Sequence, residues 1–264
     1  MKQPFKITGK VQIGNLEPGY HDGMEKVDAR EKTEKYGKRI GDLQTLLYAN
    51  ADRAVVILFQ GMDASGKDGA VRRVLEFVNP AAVETTNFKA PSPEERAHDY
   101  LWRVHKAVPR YGHFGIFNRS HYEEVLIVRV MNLQPEKVWK KRYDQINAFE
   151  RFLSENNVLL LKYFLHISKE EQARRFEERL RDPQKNWKFS EDDLKVRAHW
   201  DGYQEAFEEM LNRCSTPCAP WHVVAADHKW YRDYVIARHV AEVLEGLKMK
   251  WPKPIADPSK IKVV

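Results

Sequence analysis

The segment GMDASGKDG, Gly61 to Gly69, holds the residues best suited to phosphate chemistry. It fits the pattern G-x4-G-K. Gly61 and Gly66 permit a tight loop whose backbone amides, through Met62, Ala64, Ser65 and Gly69, turn inward around phosphate oxygens. A helix starting at Gly66 adds partial positive charge, and Lys67 adds a full one. The hydroxyl residue that usually follows the lysine and binds Mg²⁺ is replaced by Asp68, which either caps the helix or faces a metal. Asp63 stands inside the loop, where a carboxylate repels phosphate unless a cation lies between them. It therefore reads as a metal ligand or as a base acting on an acceptor phosphate.

Two further segments carry compatible chemistry. In FNRSHYEEV, residues 117–125, Asn118, Arg119 and Glu123 follow an apolar run. An arginine there can fork two phosphate oxygens, and a carboxylate can hold Mg²⁺ or orient an attacking oxygen. In ARRFEERLRDPQKNWKFSEDD, residues 173–193, helical spacing puts Arg175 and Arg179 on one face and Ala173, Phe176 and Leu180 on the opposite, buried one. Arg179, Lys185 and Lys188 read as a phosphate lid that closes over the transferring group and excludes water. The plain reading of that helix is a solvated surface laced with Glu–Arg pairs, and Glu177 and Glu178 fit it for Arg174 and Arg181.

These segments need strands and helices to position them. RAVVILFQ, residues 53–60, is a continuous apolar, β-branched run of the kind covered on both faces. Strands are also expected over 83–89, 113–120, 158–168 and 221–227. Helices are expected over 25–50, after Gly66, after the SPEE peptide at 92–95, from Pro135 to about Asn156, over 169–181, from Glu191 to about Asn212, and over 230–247. Residues 1–24, rich in Gly, Pro and Lys, read as an extended arm. Strand–helix alternation predicts a parallel sheet of about five strands between helix layers, a three-layer α/β/α fold with its ligands beyond the strands' carboxyl ends. The chain divides into an N-terminal arm and helix (1–50), a main domain (51–250) with its lid near 170–200, and a tail (251–264).

The 264 residues are 42% apolar and 31% charged, with a formal charge of +6 and a pI near 9.1. A modest basic excess on a balanced chain points to a polyanionic partner without choosing one. No apolar stretch is long enough for a signal peptide or a membrane span, and two cysteines are too few for a disulfide framework, so a cytoplasmic protein is expected. Cys214, Cys218 and His222 do not have the spacing of a common zinc site and read as ordinary residues beside a turn.

Together the three motifs resemble one family, the type 2 polyphosphate kinases. GMDASGKDG is similar to its phosphate loop, FNRSHYEEVLIVRV to its second motif, and the stretch through RDPQKNWKFS to its lid. DYLWRVH, APWHVVAAD and KWYRD are also similar, and the likeness covers residues 35 to 250. The resemblance implies a P-loop kinase fold and Mg²⁺-dependent transfer (Mn²⁺ substituting) between inorganic polyphosphate and AMP, ADP or ATP. It further implies a homo-oligomer, often a tetramer, with no nucleic-acid or membrane partner. Asp63 and Lys67 match the loop's catalytic acid and lysine, Arg119 the second motif's arginine, and Arg179, Lys185 and Lys188 lid positions. The NRSHYE form is similar to the subclass that phosphorylates both AMP and ADP. Asn118 stands where many ADP-preferring members have Asp, which removes one metal ligand that Glu123 can replace. Two other readings compete: a nucleoside monophosphate kinase using ATP, and a basic nucleic-acid-binding module whose lysines contact backbone phosphate.

Overall fold

In the computed structural model, residues 3–254 are described. Six strands, β1 (Phe5–Lys6), β2 (Ala54–Gln60), β3 (Val83–Asn87), β4 (Phe114–Asn118), β5 (Val158–His166) and β6 (Trp221–Ala225), form one sheet in the order β1-β6-β5-β2-β4-β3. The last five run parallel, and β1 is antiparallel to β6. The strand missing from the sequence reading is β1, which lies in the expected arm.

The helices are α1 (Lys26–Asn50), α2 (Lys67–Leu75), α3 (Pro93–Arg96), α4 (Trp102–Ala107), α5 (Ile127–Val130), α6 (Glu136–Glu155), α7 (Lys169–Arg181), α8 (Glu191–Ala198), α9 (Trp200–Cys214) and α10 (Lys229–Gly246). Every residue of β2 is buried, and its side chains alternate between two cores. Val56 and Leu58 pack with Tyr143 and Ile146 of α6 and with Phe207 and Met210 of α9. Val55, Ile57 and Phe59 pack with Ile40 and Leu47 of α1, Val74 of α2 and Val235 of α10. Those two cores are what makes the architecture three layers. Among the described residues no helix is long and apolar enough to cross a membrane.

Three details differ from the sequence reading. The helix expected to start after SPEE starts within it: Ser92 caps α3 by a reciprocal bond pair with Glu95. The helix expected from Glu191 to Asn212 is two helices meeting at His199. On α7, Leu180 is 53% exposed while Arg175 is buried at 4%, the reverse of what amphipathic spacing alone dictates. The tail's residues 255–264 and residues 1–2 of the arm lie outside the described residues.

Candidate active site

Parallel pairing in register sets Phe59 of β2 beside Asn118 of β4, so the two motifs leave the sheet side by side. After β2 the chain enters the glycine loop. Gly61 has φ +152°, and a Cβ there would sit 2.7 Å from the carbonyl of Leu165 and 2.9 Å from Ser65 Oγ. Gly66, at φ +99°, is the N-cap of α2; a Cβ there would lie 1.8 Å from an Arg232 nitrogen. Both positions exclude a side chain on contact as well as conformation. Ala64 is left-handed too, at φ 62°. Ser65 Oγ is fully buried and has no hydrogen-bond partner among the described residues.

Lys67, 8% exposed, folds back along the loop and donates to the carbonyls of Gly61 at 2.8 Å and Met62 at 3.1 Å. Burial pulls its ammonium below the ordinary lysine value, an effect the nearby Asp63 carboxylate opposes. The N-cap position of α2 is Gly66, and the helix's second residue is Asp68. Its carboxylate accepts instead from the Asn118 amide at 2.8 Å, tying the loop to the second motif. Gln60 and Ser120 make a second tie at 3.2 Å.

Arg119 is the centre of the site. Its amide donates to Phe59 at 3.0 Å, and its φ of 62° is a left-handed conformation costly for a residue with a Cβ. That turn swings the guanidinium over the loop, where it bonds Asp63 at 2.6 Å and reaches Glu123 at 3.5 Å. One arginine thus holds the two carboxylates predicted as metal ligands. The turn is anchored below by a fully buried cluster in which Lys162 of β5 bonds Glu150 at 2.5 Å and Tyr122 Oη at 2.7 Å. Glu150 also meets His121 at 3.2 Å.

A family model described as polyphosphate kinase 2 (PPK2) matches residues 23–252. The chain belongs to the polyphosphate kinase 2 family. It is 46% identical over 262 residues to the AMP/ADP-polyphosphate phosphotransferase of Meiothermus ruber, covering 98% of each chain. It is 45% identical over 228 residues to the ADP-polyphosphate phosphotransferase of Rhodopseudomonas palustris, covering 82% of this chain and 79% of that protein. The crystal structure of polyphosphate kinase 2 from Arthrobacter aurescens superimposes with a TM-score of 0.95 at 37% identity, over 98% of this chain and 94% of that one.

In this member of the family, the structure gathers Asp63, Lys67, Asp68, Asn118, Arg119 and Glu123 at the ends of β2 and β4. Of the three cations predicted for a lid, Arg179 pairs with Asp193 at 3.3 Å. Burial and the Asp63 charge push the Asp193 carboxyl upward. Lys185 and Lys188 make their contacts within residues 178–188: Lys185 pairs with Glu178 at 2.7 Å and Asp182 at 2.9 Å, and Lys188 lies 5.0 Å over the exposed Trp187 ring.

Sequence reasoning missed the residues that brace the loop. Gln172 donates to the Asp63 carbonyl at 2.9 Å. The buried Arg175 donates to the carbonyls of Ala64 at 2.8 Å, Ser65 at 3.1 Å, Ala226 at 2.6 Å and Asp227 at 2.8 Å. Arg232, 3% exposed, backs Gly66 and Gly69 and is held by Asp233 at 2.5 Å. Tyr203 faces the same carboxylates: burial, then Glu123 and Asp63, raise its phenol above the ordinary value. The sequence signals for these were the KWYRD peptide that carries Arg232 and the basic helix on which Arg175 was read beside Arg179. Beside the site, a cavity of about 540 Å³ opens on Arg119 and Glu123 and is walled by Phe88, Tyr100, Arg103 and Arg142.

Proposed function

We propose that this chain transfers the terminal phosphoryl group of inorganic polyphosphate to AMP, ADP or both, giving ADP and ATP. One observation carries the reading: a glycine loop with a buried lysine lies directly against an arginine held between two carboxylates. Family membership supports the choice of polyphosphate as donor.

A phosphate oxygen of the acceptor attacks the terminal phosphorus, and the bond to the bridging oxygen breaks, leaving polyphosphate one unit shorter. One phosphoanhydride forms as another is lost, so the reaction runs in either direction. Loop amides, the N-terminus of α2 and Lys67 hold donor phosphates, and the 540 Å³ cavity receives the acceptor. Arg119 exchanges its carboxylate partners for phosphate oxygens and stabilises the transition state, and Arg179 follows when the lid closes, with Lys185 and Lys188. Positioning and electrostatics supply most of the rate.

Asp63 and Glu123 are the residues that would hold Mg²⁺ or Mn²⁺. Both are hard oxygen donors converging on one guanidinium. Among the described residues no third carboxylate, His or Cys completes an all-protein cage, a donor set suited to an ion shared with substrate phosphates. Bound there, the ion offsets repulsion between donor and acceptor phosphates. The same reading expects a cytoplasmic homo-oligomer, and light scattering on the purified protein tests the assembly.

The deciding experiment supplies AMP, Mg²⁺ and polyphosphate without ATP. ADP and then ATP should form. Product only when ATP is the donor would overturn the proposal in favour of a nucleoside monophosphate kinase.

A further inference from the structure

Ala64 carries a Cβ yet takes a left-handed φ of 62° in the middle of the glycine loop. The amide of Ser65 donates to the Met62 carbonyl at 3.1 Å, closing a four-residue turn with Asp63 and Ala64 at its centre. Asp63 is not among the residues with positive φ. Negative φ followed by positive φ is the pattern of a type II turn, which favours glycine at its third position. The type I turn keeps the same closing bond and suits alanine there. The two interconvert by a half-turn rotation of the Asp63–Ala64 peptide, so local preference alone points to the flipped form.

The difference decides whether the loop can hold an anion. In a trans peptide the C=O and N–H point opposite ways. As the loop stands, the Asp63 carbonyl points to α7, and the Ala64 amide points away from it with no acceptor among the described residues. Ala64 is 8% exposed, so this amide needs a partner, and a phosphate oxygen supplies one. After the flip, a carbonyl oxygen would occupy that direction and repel phosphate.

The bond that opposes the flip comes from Gln172 of α7, which is fully buried and donates through Nε2 to the Asp63 carbonyl at 2.9 Å. One turn on, Arg175 holds the next two carbonyls, those of Ala64 and Ser65. An amide side chain can present either end, and Arg197 of α8 settles which. Its guanidinium can only donate, and it bonds Gln172 Oε1 at 2.8 Å, which leaves Nε2 to face the loop. Asp193, one turn before Arg197 on α8, pairs with Arg179, two turns beyond Gln172 on α7. Two polar contacts thus dock α8 on α7, and one of them ends on the loop.

We propose that Gln172 is a positioning residue that latches the Asp63–Ala64 peptide in its phosphate-accepting orientation, and that Arg197 sets the latch, so the loop is ready for a donor only while α8 is docked. The proposal rests on the loop being the donor-phosphate site of the reaction read above.

The test uses Q172M, which keeps the volume and removes both hydrogen bonds, alone and in an A64G background. Without the latch the free enzyme populates the flipped turn, and apparent donor affinity falls with the fraction left competent. A left-handed alanine is disfavoured by a factor of about ten in population, so polyphosphate KM should rise about tenfold. Bound phosphate draws the loop back, so kcat should stay within about threefold and nucleotide KM within about twofold. R197M should raise polyphosphate KM too, with Q172M/R197M no worse than Q172M; additive rises overturn the coupling to α8. Glycine is at ease in the left-handed conformation, so adding Q172M to A64G should raise polyphosphate KM less than about threefold. Equal tenfold rises in both backgrounds overturn the proposal, because they make Gln172 a packing residue. So does an unchanged polyphosphate KM in Q172M, or a loss confined to kcat. Calorimetric Kd for tetraphosphate should follow the same pattern without turnover. A wild type that binds tetraphosphate but transfers nothing rejects the reaction, and the Kd values then decide the latch; one that does not bind it rejects both.

Discussion

Lowering the pH from 7 to 5 should destabilise this protein by about 4 kcal/mol through two histidines remote from the active site. The rings of His222 on β6 and His239 on α10 lie 4.3 Å apart, tilted by 49°, and His239 Nδ1 meets the buried Tyr163 hydroxyl at 2.7 Å. Burial, with Lys6 next, pulls His222 from 6.5 down to about 4. Burial, then the His222 and Arg238 charges, pulls His239 to about 3. Both imidazoles therefore stay neutral in the fold at pH 5, while in the unfolded chain both are protonated. The unfolded state binds more protons throughout the window from 6.5 down to those folded values, so stability falls as pH falls. At 1.36 kcal/mol per unit, each imidazole costs about 2 kcal/mol at pH 5. That is a large share of a typical domain's 5–15 kcal/mol. Urea unfolding followed by tryptophan fluorescence at pH 7, 6 and 5 measures the loss, and H222Q/H239Q should flatten it. Carboxylates contribute little there, because their unfolded values lie near 4. Parallel losses in wild type and double variant, or an NMR titration showing either imidazole charged above pH 6 in the fold, would refute the reasoning.

Two further outcomes bear on the site. Lys67→Ala and Asp63→Asn should each lower kcat by at least about 10²–10³ with circular dichroism unchanged, since each removes a preorganised charge from the transferring phosphates; near wild-type turnover in either rejects the site. Glu150→Gln strands the fully buried Lys162 ammonium and should cost about 3–5 kcal/mol in urea unfolding, whereas the apolar pair Glu150→Leu with Lys162→Met should recover most of it; a loss below about 1 kcal/mol would show that the cluster does not anchor the Arg119 turn.

The strands β2, β4, β5 and β6 were legible as apolar runs buried along nearly their whole length, and the glycine loop by its G-x4-G-K spacing, with Gly61 set against the Leu165 carbonyl and Gly66 against the Arg232 side chain. Arg119 and Glu123 were legible as a strand-end pair, although the left-handed turn that aims the arginine has no sequence signature. Arg175 was misplaced for a definite reason. Helical spacing assigns arginine to solvent, but four backbone carbonyls converge on this one and satisfy it in the interior. Those carbonyls come from two loops more than 150 residues apart in the chain, so only the assembled fold reveals the site. The two-residue β1 is likewise set by a tertiary contact, its pairing with β6, rather than by local propensity.

The arm ahead of α1 is stitched to the chain's other half almost residue by residue. Val11 exchanges two hydrogen bonds with Asn212, Ile13 bonds Glu208, Ser215 bonds Ile7, and Asp227 bonds Pro18. The arm leaves the ribosome well before these partners, which are translated some two hundred residues later. It cannot make these bonds until β6 and its flanking loops have been synthesised. An engineer attaching a fusion partner ahead of the arm is therefore loading the segment that seals the sheet's edge against neighbouring molecules.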